Sequence, residues 1–110
     1  MTYQHKELAS GRWEKMLLCE QMANIGSEVS RALNWRNKGN EDQSGKAIVR
    51  ALELIDLTLD SAISFPRLKE IARMREAIVD YFYGSNEFGS SEILWWKYFD
   101  HFAYLARRGR

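Results

Sequence analysis

Apolar residues recur at steps of three and four in four segments of this chain, each with its own start and stop signals. That period belongs to helices with one buried face. The clearest segment is 66–84, PRLKEIARMREAIVDYFYG. Pro66 suits a first helical turn, where its missing N–H costs nothing. Gly84 suits the left-handed position just past a helix end. Leu68, Ile71, Ala72, Ile78, Val79 and Phe82 form the stripe, and Arg75 falls in its middle. A guanidinium cannot be deprotonated and is costly to desolvate unpaired. Arg75 is therefore expected to be mostly buried and paired with Asp56, Asp60 or Asp100, or else to face a site.

A first helix is expected from 12 to about 38, with Leu18, Met22, Ile25, Val29 and Ala32 on its seam and Trp13, Leu17 and Leu33 beside them. Gly26 inside it costs roughly 1 kcal/mol against alanine, so close approach of a neighbouring helix is its expected reason. NKGN then marks a turn. Asn40 and Gln43 have capping-box spacing for a second helix to about 63, striped by Ile48, Leu52, Ile55, Leu59 and Ala62 and flanked by Ala47, Ala51 and Thr58. GSNEFG is a loop by composition. Ser90 or Ser91 caps a last helix, 92 to about 107, with Trp95, Phe99, Phe102 and Ala106 inward.

Four helices on short loops predict an all-α, up-and-down antiparallel four-helix bundle. The domain is expected at 12–108, preceded by a flexible arm over 1–11. A single KGNEDQSGKAIVRALELID segment is too little for a tetratricopeptide array, which needs about three repeats.

Totals narrow the function classes. Sixteen basic and fifteen acidic residues give net charge +1, so charge gives no push towards nucleic acid or an anionic membrane. No apolar run approaches the roughly 20 residues of a membrane span. The N-terminal MTYQHKELASGRW lacks an apolar signal core. One cysteine excludes an internal disulfide, and a cytoplasmic setting is expected.

Chemistry-bearing motifs are sparse. Cys19 has no histidine near it in sequence, since the two are His5 and His101. No Cys or His pair has metal-ligand spacing, and no phosphate loop or dinucleotide fingerprint exists. No metal, cofactor or catalytic residue is expected. Aromatic residues crowd the last third: Tyr81, Phe82, Tyr83, Phe88, Trp95, Trp96, Tyr98, Phe99, Phe102 and Tyr104. The final helix is apolar around most of its circumference. Phe88, Trp96 and Tyr104 are left for an interface, and a homodimer or larger homo-oligomer is expected. RNA stacking on the aromatic third is the rival use.

Two stretches resemble a known family. NWRNKGNEDQSGKAIVRALELIDLTL, 34–59, resembles the central helix–turn–helix of HEPN-type bundles, and RMREAIVDY, 73–81, resembles their later helix. The four-helix bundle family first noted as inserts in ribosomal RNA genes is similar in the same features. The resemblance implies a small prokaryotic dimerising bundle, often the partner of a minimal nucleotidyltransferase in a toxin–antitoxin pair. Some members cut RNA with an Arg and a His four to six residues later. Here the fifth and sixth positions after Arg75 are Asp80 and Tyr81, and no His follows any arginine of this helix at that spacing. The general acid/base of that chemistry is missing, which implies a non-cleaving interaction module. The alternative is a nucleotide- or RNA-binding protein, or a ribonuclease, using Arg75, Asp80, Tyr81 and the aromatic region.

Overall fold

The computed structural model describes residues 11–61 and 64–108. Four α-helices fill them: α1, Leu18–Asn37; α2, Glu41–Asp60; α3, Phe65–Tyr83; and α4, Glu92–Arg108. A 3₁₀ turn at Trp13–Lys15 precedes α1, and the described residues contain no strand. The bundle runs up and down, α1 packing on α2 and α4, and α3 on α2. Residues 1–10, most of the expected N-terminal arm, lie outside the described residues, as do Ala62 and Ile63 at the expected end of α2.

The first helix starts later than its period predicts. Met16 and Leu17 are extended, which separates Trp13–Lys15 from α1. The break turns Trp13 inward, where it is 1% exposed. Its indole Nε1 donates to Thr58 Oγ1 at 2.9 Å, and its carbonyl accepts from Gln21 Nε2 at 2.7 Å. Both bonds satisfy polar groups that burial would otherwise penalise. Glu20 Oε1 accepts from the Leu17 N–H at 3.0 Å and covers one free amide of the new helix start.

Gly39 ends α1. Its φ of +77° lets the Gly39 N–H reach Arg36 O and the Asn40 N–H reach Trp35 O. That pair of bonds is a Schellman motif. Asn40 Oδ1 then accepts from the Gln43 N–H at 3.1 Å and caps α2. Gly84 does not take the left-handed position expected of it. Its φ of −104° and ψ of −158° are extended, because the chain is held by Asp80 rather than by a helix-end motif. Ser91 Oγ caps α4 by accepting from the Leu94 N–H.

The core joins Met22, Ile25, Val29, Ala32 and Leu33 of α1 to Ala47, Ile48, Ala51, Leu54 and Ile55 of α2. Ile71, Met74 and Ile78 enter from α3, and Trp95 and Phe99 from α4. The buried face of α2 is turned towards Ala47, Ala51, Leu54 and Thr58, so Leu52 and Leu59 of the expected stripe are half-buried. Gly26 meets its expected reason: an added Cβ would lie 2.7 Å from Phe99 Cβ. The α1–α4 crossing is close because nothing projects from position 26.

Candidate functional site

Arg75, Asp80 and Tyr81 share α3 but do not converge. At about 100° per residue, Asp80 and Tyr81 lie roughly 140° and 120° around the helix from Arg75. Each has a separate structural partner. Arg75 Nε and Nη2 donate to Asp56 Oδ1 and Oδ2 at 2.8 and 3.3 Å, a bidentate bridge from α3 to α2. The side chains are 36% and 41% exposed, so Arg75 is not the mostly buried residue expected. It sits on the flank of the stripe, because Met74 and Ile78 take the inward positions. The bridge is of the solvent-screened kind worth about 1 kcal/mol or less.

Asp80 organises the loop after α3. Its carboxylate accepts from the Glu87 N–H at 2.9 Å and the Phe88 N–H at 3.0 Å, and its carbonyl accepts from Gly84 and Asn86. Asn86, at φ +58°, closes the same loop through two bonds to Ser90. Tyr81 joins an aromatic group, edge-on to Phe82 and Trp95 with centroids 5.1 and 6.2 Å away. The Arg36 guanidinium lies over Tyr81 at 5.1 Å and over Phe82 at 5.5 Å, within cation–π range. These three residues therefore hold α3 to its surroundings and assemble no reaction centre among the described residues.

Other polar features went unseen in the sequence. Glu28 of α1 is buried, and accepts from Arg31 Nη1 at 2.8 Å and Arg50 Nε at 3.0 Å. The i, i+3 spacing of Glu28 and Arg31 is visible in the chain, but the reach of Arg50 from α2 is a tertiary fact. A concavity of about 180 Å³ lies between Arg36, Glu41, Ser44 and Phe82. Within it Ser44 Oγ is committed to Ala32 O at 2.8 Å. Cys19 is half-buried, and His101 is exposed beside Phe102. Among the described residues, no three His, Cys, Asp or Glu side chains gather as a group that could hold a metal.

What distinguishes the surface is α4 and the loop before it. Trp95 and Phe99 are 6% and 5% exposed and stack at 6.1 Å. Ile93, Leu94, Trp96, Tyr104 and Leu105 of the same helix are exposed, as is Phe88 of the loop. Trp96 has a polar partner on its own helix. Its Nε1 donates to Glu92 Oε1 at 3.3 Å, and Asn37 Nδ2 donates to the same oxygen at 2.8 Å. The indole N–H is thus satisfied while 41% of the residue faces solvent. On the α3 side, Tyr98 Oη lies 3.5 Å from Glu70 Oε1. Burial, reinforced by that carboxylate, pushes the Tyr98 phenol up to about 12.

No helix is long and apolar enough to cross a membrane among the described residues. Comparison with protein families, with curated proteins and with solved structures gave no match to this chain.

Proposed function

We propose that this chain is a non-catalytic helical interaction module that self-associates in the cytoplasm through the outer surface of α4. The supporting observation is the exposure of Ile93, Leu94, Trp96, Tyr104 and Leu105 on one helix. Ile93, Trp96 and Tyr104 lie within about 80° of one another around the helix, with Leu94 and Leu105 further round, and contiguous exposed apolar patches mark contact surfaces. Trp and Tyr are also the residues that most often anchor interfaces. Against an enzymatic role, Arg75 and Asp80 spend their polar groups on Asp56 and on the 84–91 loop. The nucleotidyltransferase partnership implied by the HEPN-like resemblance is one form such a module could take.

Sedimentation velocity across the micromolar range tests the reading. A dimer or larger species is expected, with Trp96→Glu shifted towards monomer at unchanged helix content. A wild-type monomer throughout, together with RNA cleavage lost in Arg75→Ala, would transfer the chain to the ribonuclease class.

A further inference from the structure

Between α1 and α4 runs a concavity of about 260 Å³, lined by Gly26, Ser27, Ser30 and Arg31 on one side and Trp96 and Asp100 on the other. It lies where Gly26 lets the helices cross closely and where Ala23, Ser27 and Ser30 of α1 carry short side chains. The two walls differ in charge. On the α1 wall the cation is Arg31, whose side chain is 60% exposed; the Glu28 carboxylate it touches is shared with Arg50 of α2 behind the wall, so Arg31 is only partly neutralised within its own chain. On the α4 wall stands the exposed Asp100, which makes no hydrogen bond or ion pair with another described residue. Arg31 and Asp100 thus face the same groove without pairing across it. Beside Asp100, one turn back, is Trp96, its N–H satisfied by Glu92 while 41% of the residue faces solvent. With only two side-chain torsions, such an aromatic anchor loses little freedom on binding.

We propose that this groove receives a second copy of the chain, docked about a two-fold axis. Trp96 of each copy enters the groove of the other, and Arg31 of each pairs with Asp100 of the other. The proposal rests on the self-association reading above and gives it a surface and a register. Charge is what selects the occupant. A two-fold interface sets each patch against itself, so residue i meets j and j meets i. A patch with one positive and one negative wall is complementary to itself under that operation. A patch of one sign would repel its own copy.

Charge exchange between two variants reads this register directly. Arg31→Glu alone sets two carboxylates together at both ends of the interface, and Asp100→Arg alone sets two guanidiniums together. Each variant is expected to dimerise about tenfold or more weakly than wild type in sedimentation. Mixed in equal amounts they should form a heterodimer. At one end the introduced carboxylate then meets the introduced guanidinium, and at the other the native Arg31 meets the native Asp100. Loss of the Arg31–Glu28 contact within one chain cannot be repaired by mixing, so recovery reports only on contacts between copies. Ser27→Trp, which fills the groove from an exposed position, should give a folded monomer and keeps the test valid if Arg31→Glu fails to fold. Two results overturn the register: dimers unchanged in Ser27→Trp and Asp100→Arg, or a mixture of folded variants that stays monomeric. In the first case self-association survives on another face of α4. A wild-type monomer removes both readings.

Discussion

The first helical hairpin and the second are nearly equal in length and unequal in burial. α1 buries eight residues and α2 seven, while α3 buries three and α4 two. The buried polar side chains, Gln21, Glu28, Ser44 and Thr58, all belong to the first hairpin. Most of their hydrogen bonds tie one segment to another: Gln21 and Thr58 to Trp13, Ser44 to Ala32, and Glu28 to Arg50. The ion pair that joins the second hairpin to the first, Arg75–Asp56, is by contrast 36% and 41% exposed and lies where water competes. Buried polar contacts of this kind exclude alternative packings, since a misplaced helix would strand them. The first hairpin therefore specifies the fold, and the second lays an aromatic surface over it.

That contrast is broken most directly at Trp13. Truncation to alanine removes a fully buried indole that seals the end of the first hairpin, and a loss of about 4 kcal/mol is expected. Trp13→Phe keeps a ring but leaves a gap where the rest of the indole lay and removes the hydrogen bond to Thr58, so about 2 kcal/mol is expected. Urea unfolding measures both. If Trp13→Ala costs no more than Trp96→Ala on the outer face of α4, the first hairpin is not the tighter half.

Gly26 sharpens the comparison at the seam between the halves. Alanine there gains about 1 kcal/mol of helix propensity but sets its Cβ against the Cβ and Cγ of Phe99. Both clashing groups lie close to the backbone, so α4 must move away, and a net loss of about 2 kcal/mol is expected. Phe99→Ala in the same chain should recover part of it, as contacting residues do not add. Amide exchange in Gly26→Ala should quicken along α4 before α2, since the contact that fails belongs to the weaker half. Equal acceleration in both helices would mean that the bundle opens as one unit.

Helix number, order and most seams were legible because apolar spacing is a local signal. The turn at Gly39, the cap at Asn40 and the reason for Gly26 could be read from residue type alone, and the cap of α4 was narrowed to Ser90 or Ser91, of which Ser91 serves. The break at Met16 and Leu17 could not. The helical period continues through it, and only the bond from Trp13 to Thr58, 45 residues away, explains why the chain bends there. Gly84 misled for a similar reason: the nearby Asp80 carboxylate, not the glycine, governs the loop. Arg75 found one of its expected carboxylates, yet a few tens of degrees of helix rotation moved the pair from core to flank. The groove of α1 and α4 was the least legible feature. It depends on which short side chains face which turn of another helix, and sequence spacing within either helix is silent on that.

The smallest expected effect lies at the α3–α4 contact and appears only in alkali. Tyr98 ordinarily ionises near 10, and in the fold it is pushed up to about 12, chiefly by burial and then by the charge of Glu70. The folded chain thus holds the phenol proton more tightly than the unfolded chain. Tyr98 contributes its full stabilisation below pH 10, and that contribution is lost as pH rises from 10 towards 12. Lysines and other tyrosines titrate in the same window, so the informative quantity is the difference between wild type and Tyr98→Phe. Phenylalanine keeps the edge-on ring contacts to Trp95, Phe99 and Phe102 at 6.5, 5.0 and 5.4 Å and removes the ionisable group. Near neutral pH the two proteins should therefore melt within a few degrees of each other. Above pH 10 the wild-type midpoint should fall more steeply than that of the variant. Parallel curves through this window would mean that the phenol ionises as it does in water, with solvent reaching between α3 and α4. The second hairpin would then be looser than its aromatic contacts indicate.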